Sequence, residues 1–212
     1  MKSTRLFFLL FFAIVLLHAA AAHGASINMD DPRRALGRED DVRVDAQLVQ
    51  DSISPGAPIG ITYQIQNFTT SPVAVADKVS DASYDSDSGT ITVSLGSEIP
   101  SGRLPHMVLI APGEKKVLRG AAMVALNAAA IRTSMAGVPR YVQVKVTILR
   151  DLTPFLAMIQ KQAQAPAVAQ TLPDELFERW LESNDTIYLN ALPVQWSPRA
   201  RMSGADAAQS GM

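Results

Sequence analysis

The sequence predicts a mostly β protein: an antiparallel β-sandwich over residues 42–150, followed by a helical extension over residues 151–196. Short segments of alternating apolar and polar residues recur through the first region, and Pro- and Gly-rich turn signals separate them. Helical spacing of apolar residues appears only after Arg150. Short strands with one apolar face, without helices regularly between them, favour antiparallel sheets packed face to face.

The N-terminal segment, residues 1–25, has the three-part layout of a secretory signal peptide. Lys2 and Arg5 form a short basic region, an unbroken apolar run covers residues 6–17, and small residues follow. The run is shorter than the roughly 20 residues that a membrane-spanning helix needs, so cleavage is favoured over an uncleaved anchor. We expect cleavage near Ala22–Ala25 and a periplasmic or secreted protein.

The composition of the remaining chain narrows the function classes. Removing Lys2 and Arg5 from the 19 basic residues leaves 17 against 20 acidic residues, a formal charge of −3. Without a basic block, nucleic-acid binding is not expected. A second long apolar run is lacking, so no membrane span is expected after cleavage. The absence of Cys excludes disulfides, thiolate nucleophiles and sulfur-ligated metals.

The region before the sandwich and several connections lack a clear strand pattern. Residues 26–41 are charged and aperiodic, and we interpret them as a flexible leader. Residues 80–89, SDASYDSDSG, are polar and rich in turn formers, which predicts a loop. Residues 121–139 fit either a short helix or a loop between sheets.

Two strands have the clearest alternation. The set predicted to face the core comprises Ile59, Ile61, Tyr63 and Ile65 in one strand and Val142, Val144, Val146 and Ile148 in the other. The opposite parity is polar in both, with Thr62, Gln64 and Gln66 in the first strand. That polar set fits a solvated sheet face and equally fits a wet binding face. About seven such strands are predicted between residues 42 and 150.

The turns around these strands carry a resemblance. Pro55-Gly56 precedes an alternating strand that ends at Asn67, Pro72 closes the next turn, and Pro112-Gly113-Glu114 forms a late one. This order resembles the bacterial immunoglobulin-like sandwich modules of exported proteins. The resemblance implies a module that binds, spaces or displays, without catalytic residues of its own. The Cys…Trp…Cys signature of antibody domains is missing.

Two helices are predicted in the extension, and residues 186–196, TIYLNALPVQW, fit either a last strand or an extended segment. Thr153 is placed as the N-cap and Pro154 as the first helical residue of a helix reaching about Ala165. A second helix covers residues 174–185, and its apolar face comprises Leu176, Phe177, Trp180 and Leu181. Residues 197–212 are small and polar, which predicts a disordered tail.

Catalytic chemistry has little support in the sequence. His106 is the one histidine that lies clearly beyond the signal peptide, and we interpret it as a strand-edge residue. A zinc site is not expected with one His and no Cys. Asp81, Asp85 and Asp87 are calcium candidates, although their spacing does not fit an EF-hand and a solvated hairpin explains them as well. We therefore predict no enzyme, no catalytic residues and no cofactor.

The aromatic residues of the extension are the candidates for a protein interface. They are Phe177, Trp180, Tyr188 and Trp196. Trp and Tyr are common interface anchors. The alternative is that the two helices pack on the sandwich and bury these side chains within the chain itself.

The resulting hypothesis is a non-enzymatic exported module that binds another exported or envelope protein or forms part of an envelope assembly. It would act through a strand edge, through loops or through the helix of Trp180. One alternative is a secreted protease inhibitor, with Arg103 in the Pro- and Gly-rich segment 97–107, or a chaperone-like accessory protein. A second alternative is calcium-dependent adhesion through Asp81, Asp85 and Asp87.

Overall fold

The computed structural model describes residues 27–28, 30–31, 34–96, 102–126, 137–166 and 170–197. The predicted signal peptide lies outside the described residues, and so do the tail after residue 197 and most of the segment 121–139 that sequence left ambiguous. Among the described residues, the helices are too short and too polar to cross a membrane.

The described chain is built mainly from strands. In chain order they are β1 (Arg34–Glu39), β2 (Val42–Leu48), β3 (Ser52–Ile53), β4 (Ile59–Asn67), β5 (Val73–Ala76), β6 (Val79–Asp85), β7 (Thr90–Leu95), β8 (Arg103–Leu104), β9 (Met107–Ile110), β10 (Lys115–Ala122), β11 (Tyr141–Leu149), β12 (Gln170–Thr171), β13 (Asn184–Tyr188), β14 (Leu192–Pro193) and β15 (Gln195–Trp196). The helices are α1 (Leu156–Gln164) and α2 (Asp174–Ser183).

The strands form two main sheets, which confirms the mostly β prediction. The first sheet has the order β1-β2-β4-β10, and its pairs are antiparallel. The second runs β6-β7-β11-β5-β9, and β13 and β14 also pair with β11. Two small pairs, β8 with β12 and β3 with β15, lie beside them.

The prediction of a wholly antiparallel sandwich is wrong at the centre of the second sheet. There β7 and β11 run parallel, with Tyr141 opposite Thr90 and Val146 opposite Leu95. The two strands are separated by a long stretch of chain, so no hairpin dictates their relative direction. Their alternation fixes which side chains are buried, and it is the same for either direction.

The core lies between the inner faces of the two sheets. The inward sets predicted for β4 and β11 are both confirmed as buried. The β4 set is Ile59, Ile61, Tyr63 and Ile65, and the β11 set is Val142, Val144, Val146 and Ile148. Both sets belong to one apolar cluster, as the period-two pattern requires when one face of each strand meets the opposite sheet.

The predicted flexible leader is wrong for Arg34–Glu39, which forms the edge strand β1 against β2. The inward position Gly37 lies so close to β13 that an added β-carbon would be 2.6 Å from the Ile187 Cγ2 methyl. The first sheet therefore meets the second at this margin. The buried residues of β1, Ala35 and Gly37, are small and the exposed Leu36 is apolar, so the strand has no apolar period that sequence could show.

The loop predicted over residues 80–89 is also wrong in part. Most of it belongs to β6, an edge strand that pairs with β7, and only the last few residues make the turn. Ala82 and Tyr84 are half-buried and face the interior parity, while Asp81, Ser83 and Asp85 are exposed. Ser and Asp disfavour strands in general, but an edge strand with one solvated face tolerates them.

The extension after Arg150 is not only helical, because β13 and β14 add to the second sheet along β11. A boundary at residue 150 therefore cuts through one packed unit. The first helix begins at Leu156 and not at Pro154, with Phe155 as an N-cap that makes no side-chain cap bond. Thr153 instead donates its backbone N–H to the Asp151 carboxylate in a preceding turn. The second helix agrees closely with its prediction.

Candidate functional site: an uncovered sheet face with two tyrosines

The outward side of the second sheet presents a continuous surface across β6, β7, β11 and β13. Register places the outward residues of these strands beside one another, because paired residues point to the same side of a sheet. We call this surface the tyrosine face. It comprises Tyr141, Gln143 and Lys145 of β11, Tyr188 of β13, Thr90 and Thr92 of β7, and Asp81, Ser83 and Asp85 of β6.

Two large aromatic side chains are exposed on this face. Tyr141 is 41% exposed and Tyr188 is 62% exposed. Tyr188 lies directly opposite Lys145, four residues along β11 from Tyr141. At about 3.3 Å per residue along a strand and about 4.8 Å between strands, their Cα atoms are roughly 14 Å apart. The backbone of both residues is held in the sheet, so neither site has to be ordered before a partner binds.

The space between the tyrosines is polar and includes one cationic side chain, Lys145, opposite Tyr188. Gln143 lies on β11 between Tyr141 and Lys145, and its side-chain amide donates to the Leu189 carbonyl at 3.4 Å. Across β7 the outward residues are Thr90 and Thr92, both half-buried. Acidic residues enter only at the margin formed by β6. The centre of the face therefore offers hydroxyl and amide groups and one ammonium beside two amphipathic rings.

The acidic margin is fixed by its own turn. Asp85 accepts hydrogen bonds from the Ser88 hydroxyl at 2.6 Å and from the Asp87 backbone N–H at 3.0 Å. The Ser88 hydroxyl, followed by the Asp87 N–H, lowers the pKa of the Asp85 carboxyl below its ordinary value. Asp85 therefore keeps its negative charge on this face over a wider acidic range than an ordinary carboxyl.

One end of the same sheet side is buried, whereas the tyrosine face is exposed. Thr147 and Leu149 continue the outward parity of β11, yet both are buried. Trp180 and Phe155 belong to the same buried cluster as Leu149, and their rings meet edge to face at 5.8 Å. The carbonyl of Trp180 also accepts from the side-chain amide of Asn184, which is paired with Leu149. This side of β11 is therefore buried at the Leu149 end and exposed at the Tyr141 end.

The four interface candidates chosen from sequence differ in how far their side chains are exposed. Trp180 is buried against Phe155 at the sheet end, so its helix cannot present it to a partner. Phe177 and Trp196 are half-buried and pack against the core cluster. Tyr188 is the exposed member of the set. Tyr141 was missed, because its place beside Tyr188 depends on strand pairing that is not local in sequence.

The calcium candidates do not form a common site. Asp81 and Asp85 lie four residues apart on β6, about 13 Å at the rise of a strand. Calcium ligands lie at about 2.3–2.6 Å from the ion, so these two carboxylates cannot share one ion. Within the described residues, no group of three or more His, Cys, Asp or Glu side chains has the arrangement of a metal site.

Arg103 does not lie on a free loop. It belongs to β8, which pairs with β12 so that Arg103 is opposite Thr171. The neighbouring Leu104 is buried, and the Gly102 carbonyl accepts the Leu172 N–H at 2.7 Å. A protease-inhibiting loop needs an accessible extended segment around its reactive residue, and this pairing occupies one edge of that segment.

One polar pair was not predicted from sequence. His106 Nδ1 lies 2.5 Å from a carboxylate oxygen of Asp77, and the Asp77 N–H donates to the His106 carbonyl at 3.2 Å. The residues are far apart in the chain, so no sequence spacing indicates the pair. A His–Asp pair is one part of a hydrolytic triad. However, the described residues lining the cleft beside His106 include no Ser, Thr or Cys.

Comparison of the chain with protein-family models, with curated proteins and with solved structures gave no match.

Proposed function

We propose that this chain is an exported, non-enzymatic module that binds another exported or envelope protein through the tyrosine face. The observation that carries the proposal is the pair Tyr141 and Tyr188, exposed on one rigid, otherwise polar sheet face. Tyrosine supplies a large amphipathic contact at low conformational cost and is enriched among residues that dominate binding energy. A bound partner would remove the tyrosines' exposed apolar surface from water. It would also form hydrogen bonds with the hydroxyl and amide groups between them.

The rest of the molecule leaves fewer surfaces for this role. The burial of Trp180 removes the route through its helix. Other large apolar side chains are also exposed, but Val49 and Leu181, the most exposed in the loops and in the helices, lie on different elements, and scattered exposed apolar residues are normal for a protein surface. The tyrosine face differs because its two rings share one sheet and one side.

Export and kinship to immunoglobulin-like modules are part of the same proposal. The signal-peptide pattern of residues 1–25 supports export. The turn residues Pro55-Gly56, Asn67 and Pro112-Gly113-Glu114 support the kinship. The parallel β7–β11 pair and the strands added from the extension distinguish the chain from the seven-strand antibody constant-type arrangement.

A quantitative capture experiment tests the proposal. Tagged Tyr141→Ser/Tyr188→Ser and the matched surface variant Val49→Ser/Leu181→Ser are expressed in the native host, and the envelope proteins captured with each are quantified against the wild-type chain. We expect the tyrosine variant to lose its partner by at least about tenfold, since tyrosine truncations at interfaces often cost more than 1 kcal/mol each. Equal capture by both variants, with both folded by circular dichroism, would reject the tyrosine face as the contact surface.

A further inference from the structure

A cleft opens where strand β9 faces helix α1 at the margin of the sandwich. Its volume is about 490 Å³, and its walls come from residues 106–109, from Lys116 of β10 and from one side of α1. Among the described strands, β9 pairs with β5 alone, so its other edge is directed towards this side. The size falls within the range of small-molecule sites.

The two long walls of the cleft are mostly apolar. Met107 and Ile159 are buried at its base, and Leu109 and Ala163 continue the lining from β9 and α1. Gln162 holds these walls together, because its Oε1 accepts the Met107 N–H at 3.2 Å and its Nε2 donates to the Pro105 carbonyl at 2.9 Å. The spacing between strand and helix is therefore fixed by hydrogen bonds as well as by packing.

The charge of the lining favours an anion. Lys116 lies opposite Ile65, so its side chain leaves β10 on the interior side at the sandwich margin and enters the cleft wall. The Lys116 Nζ lies 3.9 Å from Oε1 of Glu114. The other carboxylate oxygen of Glu114, Oε2, accepts the Ala111 N–H at 2.7 Å. No Asp or Glu is among the described lining residues.

His106 adds a buried polar atom without a described partner. Its Nδ1 meets the Asp77 carboxylate, and an ionised carboxylate can only accept, so the network assigns a proton to Nδ1. The other ring nitrogen, Nε2, is buried and has no hydrogen-bond partner among the described residues. A buried polar atom is unfavourable when it is unpaired, and a ligand's polar group would satisfy it.

The edge of β9 offers a backbone donor in the same cleft. The Met107 N–H points away from β5, since it donates to Gln162. Alternate residues of an antiparallel strand direct their N–H groups to the same side, so the Leu109 N–H also points away from β5. No described residue accepts it.

We propose that this cleft binds a linear aliphatic carboxylate, an amphipathic acid with an unbranched hydrocarbon chain. Its carboxylate pairs with the Lys116 ammonium and shares one proton with His106 Nε2, a proton brought by the acid itself or taken from solvent. Its chain lies between β9 and α1 against Met107, Leu109 and Ile159. The lining of the site shares no residue with the tyrosine face.

The test compares three probes that have a linear chain of nine or ten carbons and different head groups. Decanoate, decanol and decyltrimethylammonium are each titrated into the purified mature protein by isothermal titration calorimetry, with the two ionic probes well below their micellar concentrations and decanol below its solubility. We expect saturable one-to-one binding of decanoate, at least about tenfold tighter than decanol, and no binding of the cation. Decanol binding as tightly as decanoate would overturn the proposal, as would a lack of decanoate binding up to about 1 mM.

Two lysine variants locate the head group. Lys116→Gln should weaken decanoate about tenfold and leave decanol unchanged, since only the charged head meets the ammonium. Lys115→Gln is the matched control, because this neighbour is exposed, faces the opposite side of β10 and does not line the cleft. Equal weakening of decanoate binding by both variants would attribute the loss to general surface charge. That result would contradict the placement of the carboxylate at Lys116.

A third variant and a peptide probe complete the test. His106→Gln should weaken decanoate by about three- to tenfold, with folding checked by near-ultraviolet circular dichroism. A blocked acidic hexapeptide with alternating valines tests strand addition to the edge of β9. Saturable binding of that peptide, without binding of decanoate, would reassign the cleft to β-strand addition and overturn the proposal.

Discussion

Asn67 joins two turns of the sandwich, and its replacement by alanine should destabilise the fold strongly. The residue is fully buried at the end of β4. Its Nδ2 donates to the carbonyls of Ser71 at 2.9 Å and Ile110 at 3.1 Å. Its Oδ1 accepts the backbone N–H of Thr69 at 2.9 Å and the Thr69 hydroxyl at 2.7 Å. The side chain therefore uses both donors and accepts two bonds.

The expected loss of stability follows from these four hydrogen bonds. A typical intramolecular hydrogen bond contributes about 0.5–1.5 kcal/mol net, and an unpaired buried group costs about 1–3 kcal/mol. The turn at Thr69 and Ser71 is partly solvated, so water replaces part of the loss there. We expect Asn67→Ala to lower the free energy of unfolding by about 2–4 kcal/mol.

Urea unfolding followed by far-ultraviolet circular dichroism measures the change. The neighbouring Gln66→Ala serves as the control, because Gln66 is only half-buried on the opposite face of β4 and should change stability by less than about 0.5 kcal/mol. The slope of the transition should stay the same in both variants. An Asn67→Ala midpoint indistinguishable from that of Gln66→Ala would refute this account of the two turns.

Three further perturbations test other parts of the fold by the same unfolding assay. Gly37→Ala should cost about 1–3 kcal/mol, because its β-carbon would lie 2.6 Å from a methyl of β13, whereas Gly137→Ala meets nothing within 4 Å and should be nearly neutral. Trp180→Ala should cost about 3–5 kcal/mol, and Leu181→Ala, at an exposed position, less than about 0.5 kcal/mol; similar values for the two would contradict the packing of α2. Burial raises the pKa of the Tyr63 phenol above its ordinary value. The folded chain thus binds this proton where the unfolded chain has lost it, and stability should fall more steeply above about pH 10 in the wild type than in Tyr63→Phe.

Alternation predicted the core well, because burial of one strand face is a local property. Ile61 and Val144 are inward whatever strands lie beside them, so their burial could be read from the chain alone. The partners of a strand are not local. The parallel pairing of β7 with β11 and the addition of β13 depend on which faces remain to be covered after the other strands have packed.

The same difference between local burial and non-local strand pairing explains which residues of the candidate site could be predicted from sequence. Residue type alone selected Tyr188 and Trp180 equally, and only the fold shows that Trp180 is buried. Tyr141 belongs to the site because β11 pairs with β13, which places it on the same sheet side as Tyr188. The pair of Asp77 and His106 required β5 and β9 to be neighbours, which no sequence spacing indicates.

Site-specific photo-crosslinking in intact cells of the native host tests the tyrosine face most directly. A benzophenone amino acid is placed at Tyr188 or Tyr141 and, as a control, at Leu181, which has an exposure of 59% against 62% for Tyr188. The proposed function predicts one major adduct of the same mass from both tyrosine positions and none from Leu181. Matching adducts from all three positions, or only self-adducts, would contradict the assignment of this face as the partner site.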